Sequence, residues 1–330
     1  MKISILDQAP ISSGYSPKEA LEASVQLAQS AERLGYTRYW IAEHHDLSGF
    51  ACSAPEIMLS YIGAKTKNIR IGAGAILLPH YKPYKIAESF NMLATLFPGR
   101  VDLGIGRAPG GSAEASMALS DNFLEGVRKM PDKVMELLQF LYNHFPEDHM
   151  FAKISASPLP AISPEPWLLG TSRKSALMAA ESGTAYAFGQ FMSEKDGDNI
   201  IKQYRENFIE RGIIQKPKVI LTVSAICADS TQEAKELALS SMLWKIRTES
   251  RVRNEGIPSI EEAKHYFRSL DVEPFNNRNR VIIGNPKEVS EQLKDMKQRY
   301  QADEIMIVTI VHRYEDRLRS YELIAKELIK

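Results

Sequence analysis

Short β-rich runs alternate along this chain with segments whose apolar positions recur every three or four residues. The runs are Ile3 to Asp7, Arg38 to Ala42, Ile69 to Leu78, Val101 to Ile105, Pro166 to Leu169, Ala185 to Phe188, Val219 to Cys227 and Glu304 to Ile310. Eight strand-helix units in succession predict a closed parallel sheet, the α/β (β/α)8 TIM barrel, rather than an open one.

The helical segments carry their own punctuation. Ser16-Pro17-Lys18-Glu19 reads as a capping box with proline at the first helical position, followed by a stripe of Leu21, Ser24, Val25, Ala28, Ala31 and Leu34 and a stop at Gly35. Ser53-Ala54-Pro55-Glu56 and Asn285-Pro286-Lys287-Glu288 start further helices in the same style. Others fit Tyr84 to Phe97, Asp121 to Asn143, Ser172 to Ser182, Glu194 to Arg211, Thr231 to Ser250 and Tyr314 to Leu328. No composition break interrupts the alternation, so one domain over residues 1–330 is expected. Two stretches exceed what a plain barrel needs, one before strand five and one after strand seven. Phe145 to Glu165 is proline-rich and irregular. Residues 250–283 carry Arg251, Arg253, His265, Arg268, Arg278 and Arg280, which suits a basic lid over an anionic cofactor and equally a solvated charged loop.

Composition narrows the class. Lys+Arg and Asp+Glu both number 41, so nothing in the charge points to nucleic acid or an anionic membrane. Cys52 and Cys227 follow no metal-ligand spacing, and the N-terminal apolar run is too short for a signal segment. A soluble cytoplasmic protein is the expectation.

The chemistry gathers at strand ends. Strand two stops at Glu43-His44-His45-Asp46. Consecutive strand residues face opposite ways, so the two histidines do not chelate one metal. A capped strand with a hydrogen-bonded core histidine accounts for the same residues. Strand three holds Gly72-Ala73-Gly74-Ala75, which gives a flat ligand bare backbone to lie on, or fills a tapering barrel interior. Strand four ends Gly104-Ile105-Gly106-Arg107-Ala108-Pro109-Gly110. Arg107 suits a phosphate, or pairs with a neighbouring carboxylate. Strand five runs into Gly170-Thr171-Ser172-Arg173-Lys174-Ser175 and a helix, where backbone N–H groups and hydroxyls converge as for a phosphate, or as an ordinary cap. A phosphorylated planar cofactor reconciles the four strand ends.

These residues resemble the bacterial luciferase-like flavin-dependent monooxygenases, in the branch marked by Glu32 to Tyr36, Arg38 to Trp40, Ala42 to His45 and Gly106 to Gly110. The resemblance spans nearly the whole chain. It implies a TIM barrel that uses reduced FMN, supplied by a separate NAD(P)H:flavin reductase, and O2 to oxidise a small organic substrate such as an aldehyde, ketone or sulfonate through a C4a-peroxyflavin. Alternatives are an F420- or FMN-dependent dehydrogenase that transfers hydride without O2, and a flavin-binding protein without turnover. By resemblance His44 is the active-site histidine with Glu43 orienting it. A non-proline cis peptide falls at Gly74-Ala75 beside the flavin, and Arg107, Gly170, Thr171, Ser172 and Ser175 meet the phosphate. Residues 250–283 match the mobile loop, and a homodimer forms through helices starting near Ser16, Ser53 and Tyr84. The luciferases proper carry a cysteine after strand four where Gly106 stands here, which argues against light emission.

Overall fold

The structure is a computed structural model, and it describes residues 1–193, 197–250, 256–270 and 280–329. Nine strands lie among the described residues: β1 Ile3–Asp7, β2 Arg38–Ile41, β3 Arg70–Leu77, β4 Val101–Gly106, β5 Glu165–Gly170, β6 Ala185–Gly189, β7 Val219–Cys227, β8 Val281–Gly284 and β9 Glu304–Val308. Every pairing is parallel. The ring β1-β2-β3-β4-β5-β6-β7-β9 closes on itself through β9 and β1, so the eight expected strands make the barrel. The ninth, β8, stands outside the ring. It pairs with the far end of β7, Ser224 to Cys227, after β9 has used the nearer part.

The helices are α1 Pro17–Leu34, α2 Pro55–Lys65, α3 Pro83–Leu96, α4 Ala113–Leu119, α5 Phe123–Arg128, α6 Met130–Leu141, α7 Arg173–Ser182, α8 Asp198–Glu206, α9 Thr231–Glu249, α10 Ile260–Leu270, α11 Pro286–Arg299 and α12 Tyr314–Leu328. The boxes at Ser16 and Asn285 form as expected, and α1 ends on Gly35 with φ of 83°. Three expectations need correction. At α2 the cap is Ala54, with no side-chain bond, and Ser53 falls one position too early. The single helix expected over 121–143 breaks at Lys129 because Pro131 has no N–H to continue it, giving α5 and α6. The helix expected from Glu194 shortens to α8, and residues 194–196 lie outside the described residues. Of the stretch 250–283, residues 251–255 and 271–279, with Arg251, Arg253 and Arg278, also lie outside them. What is described there is helix and strand, α10 and β8. Residues 145–164 carry no helix or strand, as expected.

Inside the barrel three layers stack along the axis. At the N-terminal ends of the strands Arg38, Arg70 and Lys218 meet Asp102, Glu165 and Glu304. Arg38 donates to Asp102 and to Glu304, both at 2.8 Å, and Lys218 lies 2.7 Å from Glu165. Arg70 Nε donates to Asp102 at 2.9 Å. Three cations and three carboxylates therefore close the bottom with no net charge. Above them Trp40 and Trp167 meet edge to face at 5.5 Å, and Trp40 Nε1 donates down to Asp102 at 2.9 Å. The upper layer is apolar: Leu6, Ala42, Ala187 and Val308, with Leu169, Phe191 and Ile310 packed on them. The larger core lies between barrel and helices. A barrel sealed below by ions and floored above by apolar side chains leaves its C-terminal mouth as the place for chemistry.

Candidate active site

At the end of β2 the alternation of the strand carries on for three residues. Glu43 and His45 fall on one side and His44 on the other. Glu43 is 3% exposed, and its carboxylate accepts three hydrogen bonds: from His45 Nε2 at 2.7 Å, from Tyr81 Oη at 2.6 Å and from Leu77 N at 3.0 Å. Glu43 therefore orients His45, and the expectation that it holds His44 is corrected by the two-residue period itself. Burial and the Glu43 charge push the Tyr81 phenol far above its ordinary range, so it stays a donor. The turn after β3 that carries His80 and Tyr81 is fixed from behind. Lys133 of α6 donates to the carbonyls of Leu78, Pro79 and Tyr81 at 3.3, 3.1 and 2.8 Å. His80 donates from Nε2 to Pro109 O at 2.9 Å, and its ring lies 6.0 Å from that of His45.

His44 has different company. Its backbone N–H donates to Cys52 O at 2.9 Å. Its ring stacks on Phe50, and its Nδ1 is buried with no protein partner. Burial first, and the nearby His45 second, push its pKa down to about 4. The imidazole is therefore neutral at ordinary pH. The near-neutral pKa that makes a histidine attractive for proton traffic is therefore not a property of His44. What the site offers is a half-buried neutral ring whose Nδ1 is buried and has no protein partner.

On β3 the Gly74–Ala75 peptide is cis, as the resemblance implied. The bareness of this strand serves packing. A Cβ on Gly72 would fall 2.6 Å from Trp40 Nε1, and one on Gly74 2.5 Å from Leu6 Cδ1. The tapering-interior reading holds for both positions.

Arg107 is exposed just beyond β4. Its charge acts on the Tyr186 phenol of β6, whose hydroxyl lies 3.0 Å from Ser175 Oγ. Arg107 and the Gly170-Thr171-Ser172 turn thus both lie at the C-terminal ends of neighbouring barrel strands, β4 and β5. Ser172 caps α7, and Ser175 is 2% exposed with its hydroxyl given to Ser172 O at 2.7 Å. Ser175 therefore stiffens the cup from inside. Gly170 is small for the same reason, since a Cβ there would sit 2.4 Å from Ser175 Cβ. Thr171 and Ser172 are half-buried at the rim. The residues sequence reasoning passed over are Phe50, Tyr81, Tyr186 and Trp244. Nothing local marks them, because each works through a contact distant in sequence.

A closed parallel barrel presents its strand C-termini, here with His44, Arg107 and the start of α7, on the face where such barrels carry their active sites. The chain belongs to the luciferase-like monooxygenase family, whose model matches residues 1–303. It is 43% identical to YceB of Bacillus subtilis, an uncharacterized protein, over 98% of both chains. It is 32% identical to the N-acetyl-S-alkylcysteine monooxygenase of the same organism, over 100% of this chain and 98% of that one. The crystal structure of apo-MsnO8 superposes with a TM-score of 0.90 at 33% identity, covering 99% and 98% of the two chains. More distantly, the chain is 25% identical to the oxygenase component of the flavin-dependent trigonelline monooxygenase of Acinetobacter baylyi, over 86% and 82%. The fold is shared with an F420-dependent secondary alcohol dehydrogenase at a TM-score of 0.74. Among the described residues no helix is long and apolar enough to cross a membrane, and no metal-binding cluster forms.

Proposed function

We propose that this protein is the oxygenating half of a two-component monooxygenase. It takes reduced FMN from a separate NAD(P)H:flavin reductase and, with O2, oxidises a small organic substrate such as an aldehyde, ketone or sulfonate. The observation that carries the reading is the buried Nδ1 of His44, without a protein partner, at the same barrel mouth as Arg107 and the start of α7. One side of that mouth is suited to a phosphate and the other to a reacting centre. Relatives whose names specify monooxygenase or flavin-dependent oxygenase chemistry support it.

The residues fit such a cofactor. Arg107, the hydroxyls of Thr171 and Ser172 and the N–H groups at the start of α7 would hold the phosphate, with Ser175 and Gly170 shaping the turn beneath. Ala75 and the apolar layer of Leu169, Phe191 and Ile310 would face the ring system. Bound reduced flavin supplies the two electrons; one oxygen atom enters the substrate and the other leaves as water. His44 Nδ1 holds a single hydrogen bond to the reacting molecule. The ring is kept from competing water by its surroundings, and this orientation is what the protein adds. Glu43 fixes the strand end through His45, Tyr81 and Leu77. A homodimer through the early helices suits the exposed Ile57 and Tyr61 of α2 and Met92 and Leu96 of α3.

The test is an anaerobic titration with reduced FMN and, separately, reduced F420, followed by mixing with O2 and candidate substrates. Saturable FMN binding with O2 uptake matched to substrate loss is expected. Preferential F420 binding without O2 uptake, or binding of neither, would overturn the reading.

A further inference from the structure

An aromatic wall is built against His44. Phe50 stacks on the imidazole with ring centroids 4.0 Å apart and planes 15° apart, and Trp244 of α9 meets Phe50 edge to face at 5.1 Å and 88°. Gly49 leaves no slack beside the indole, since a Cβ there would come within 3.1 Å of it. α9 is in turn braced by α10, through Lys264 to Glu236 at 2.8 Å and Arg247 to Glu262 at 2.7 Å. Just before α10, Ile257 exchanges main-chain bonds of 2.9 Å with Ile11 and Ser13 beyond β1. A five-membered ring pressed on one face by a braced aromatic loses the broad freedom its outer torsion ordinarily has, and loses water from that face. Buried polar atoms in folded proteins are nearly always paired. Nδ1 has no partner within the protein, which leaves it free to bond a molecule at the mouth.

We propose that Phe50 and Trp244 are positioning residues for the reaction: they fix the plane of the His44 ring and keep it dry, so that Nδ1 is reserved for the reacting molecule. The inference deepens the function proposed above and rests on its assignment of His44. Neither residue acts on the substrate directly. Their contribution passes through the imidazole, from α9 by way of two rings.

The experiment compares F50L, F50Y and W244L with the wild type in two measurements. One is the titration of the His44 ring, followed by NMR in the flavin-free protein, with the neighbouring His45 left unchanged. The other is the single-turnover rate with bound reduced FMN. F50L keeps apolar bulk and loses the stacked ring. It should move the His44 titration upward from about 4 by roughly one pH unit or more, because water returns to the ring. It should also slow turnover about tenfold or more while changing FMN affinity less than about threefold. F50Y should retain both properties, and W244L should move both in the same direction by less. An unmoved titration with wild-type turnover in F50L overturns the proposal, as does a loss in F50Y equal to that in F50L. If F50L does not fold, W244L decides by the same two readings. Wild-type turnover in H44A would sink the assignment of His44 instead, and the ring titration, read without turnover, separates the two failures.

Discussion

Asp102 gives the sharpest test of how this barrel is held together. Its carboxylate is fully buried and takes bonds from Arg38 at 2.8 Å, from Arg70 Nε at 2.9 Å and from Trp40 Nε1 at 2.9 Å. In D102N one oxygen can still accept, but the new amide N–H groups face guanidinium donors, and three cations are left with two carboxylates. Breaking a buried pair from one side costs about 3–5 kcal/mol, most of it the charge left behind. Against a total stability of roughly 5–15 kcal/mol this is a large share, about a thousandfold in the folding equilibrium. The sign of the pH dependence is fixed too. Arg38 and Arg70 hold the carboxyl below its ordinary 3.8 despite its burial. Its contribution is therefore present throughout the range above that value and is lost only as pH falls below it toward the folded value. Equilibrium urea unfolding by circular dichroism at several pH values measures the difference. A gap of about 4 kcal/mol between wild type and D102N, level from neutral to mildly acid pH and closing only in strong acid, is expected. A loss under about 1 kcal/mol, or a gap that already closes near pH 6, would refute the reasoning. Because the ions lie at the end of the barrel away from the mouth, the folded D102N fraction should bind flavin as the wild type does.

Three further outcomes are expected. His44 is depressed from its ordinary 6.5 to about 4, so the unfolded chain takes up its proton first, and stability present above pH 6.5 is lost as pH falls toward 4, by about 3 kcal/mol in all. H44F, which keeps a ring on Phe50 and cannot titrate, should lack that component in urea titrations; parallel curves would contradict it. E43Q leaves Leu77 N–H, Tyr81 and His45 competing for one acceptor and should cost about 1–3 kcal/mol of stability. E43Q should also lower turnover more than flavin affinity, as stopped-flow and binding titrations would show. R107A should weaken reduced FMN about tenfold or more by losing a charge-assisted contact, while riboflavin, which has no phosphate, should bind as to the wild type in the same calorimetric titration.

How much of this was readable in the residues follows from the range of the forces involved. Parallel barrel strands are buried on both faces, so all eight announce themselves as apolar runs, and the boxes at Ser16 and Asn285 are local enough to read directly. β8 is a short apolar run, Val281-Ile282-Ile283, that is legible in the residues, but it stands outside the eight strands a barrel needs and so reads as part of the long connection. The break at Lys129 was available in Pro131, which a good apolar period concealed. At the site, the alternation that separated His44 from His45 also puts Glu43 with His45, a step the sequence permitted. Ser175 looked like a phosphate contact because a Ser-x-x-Ser box lacks the acidic partner that marks a cap. Phe50 against Trp244 and Tyr186 against Ser175 are contacts between elements, which periodicity does not encode.

The stitch at Ile257 has a consequence for how this mouth is remodelled. Gly256 has φ of 105°, and a Cβ on it would stand 2.5 Å from Ile11 O, so the crossing tolerates no side chain. It ties the chain to the segment after β1 just ahead of α10, so the connection between α9 and β8 has a fixed point at Ile257. Residues gained or lost on one side of the tie need not be accommodated on the other. The chain can therefore vary one bank of its entrance in length and chemistry while the opposite bank, and the histidine behind it, keep their places.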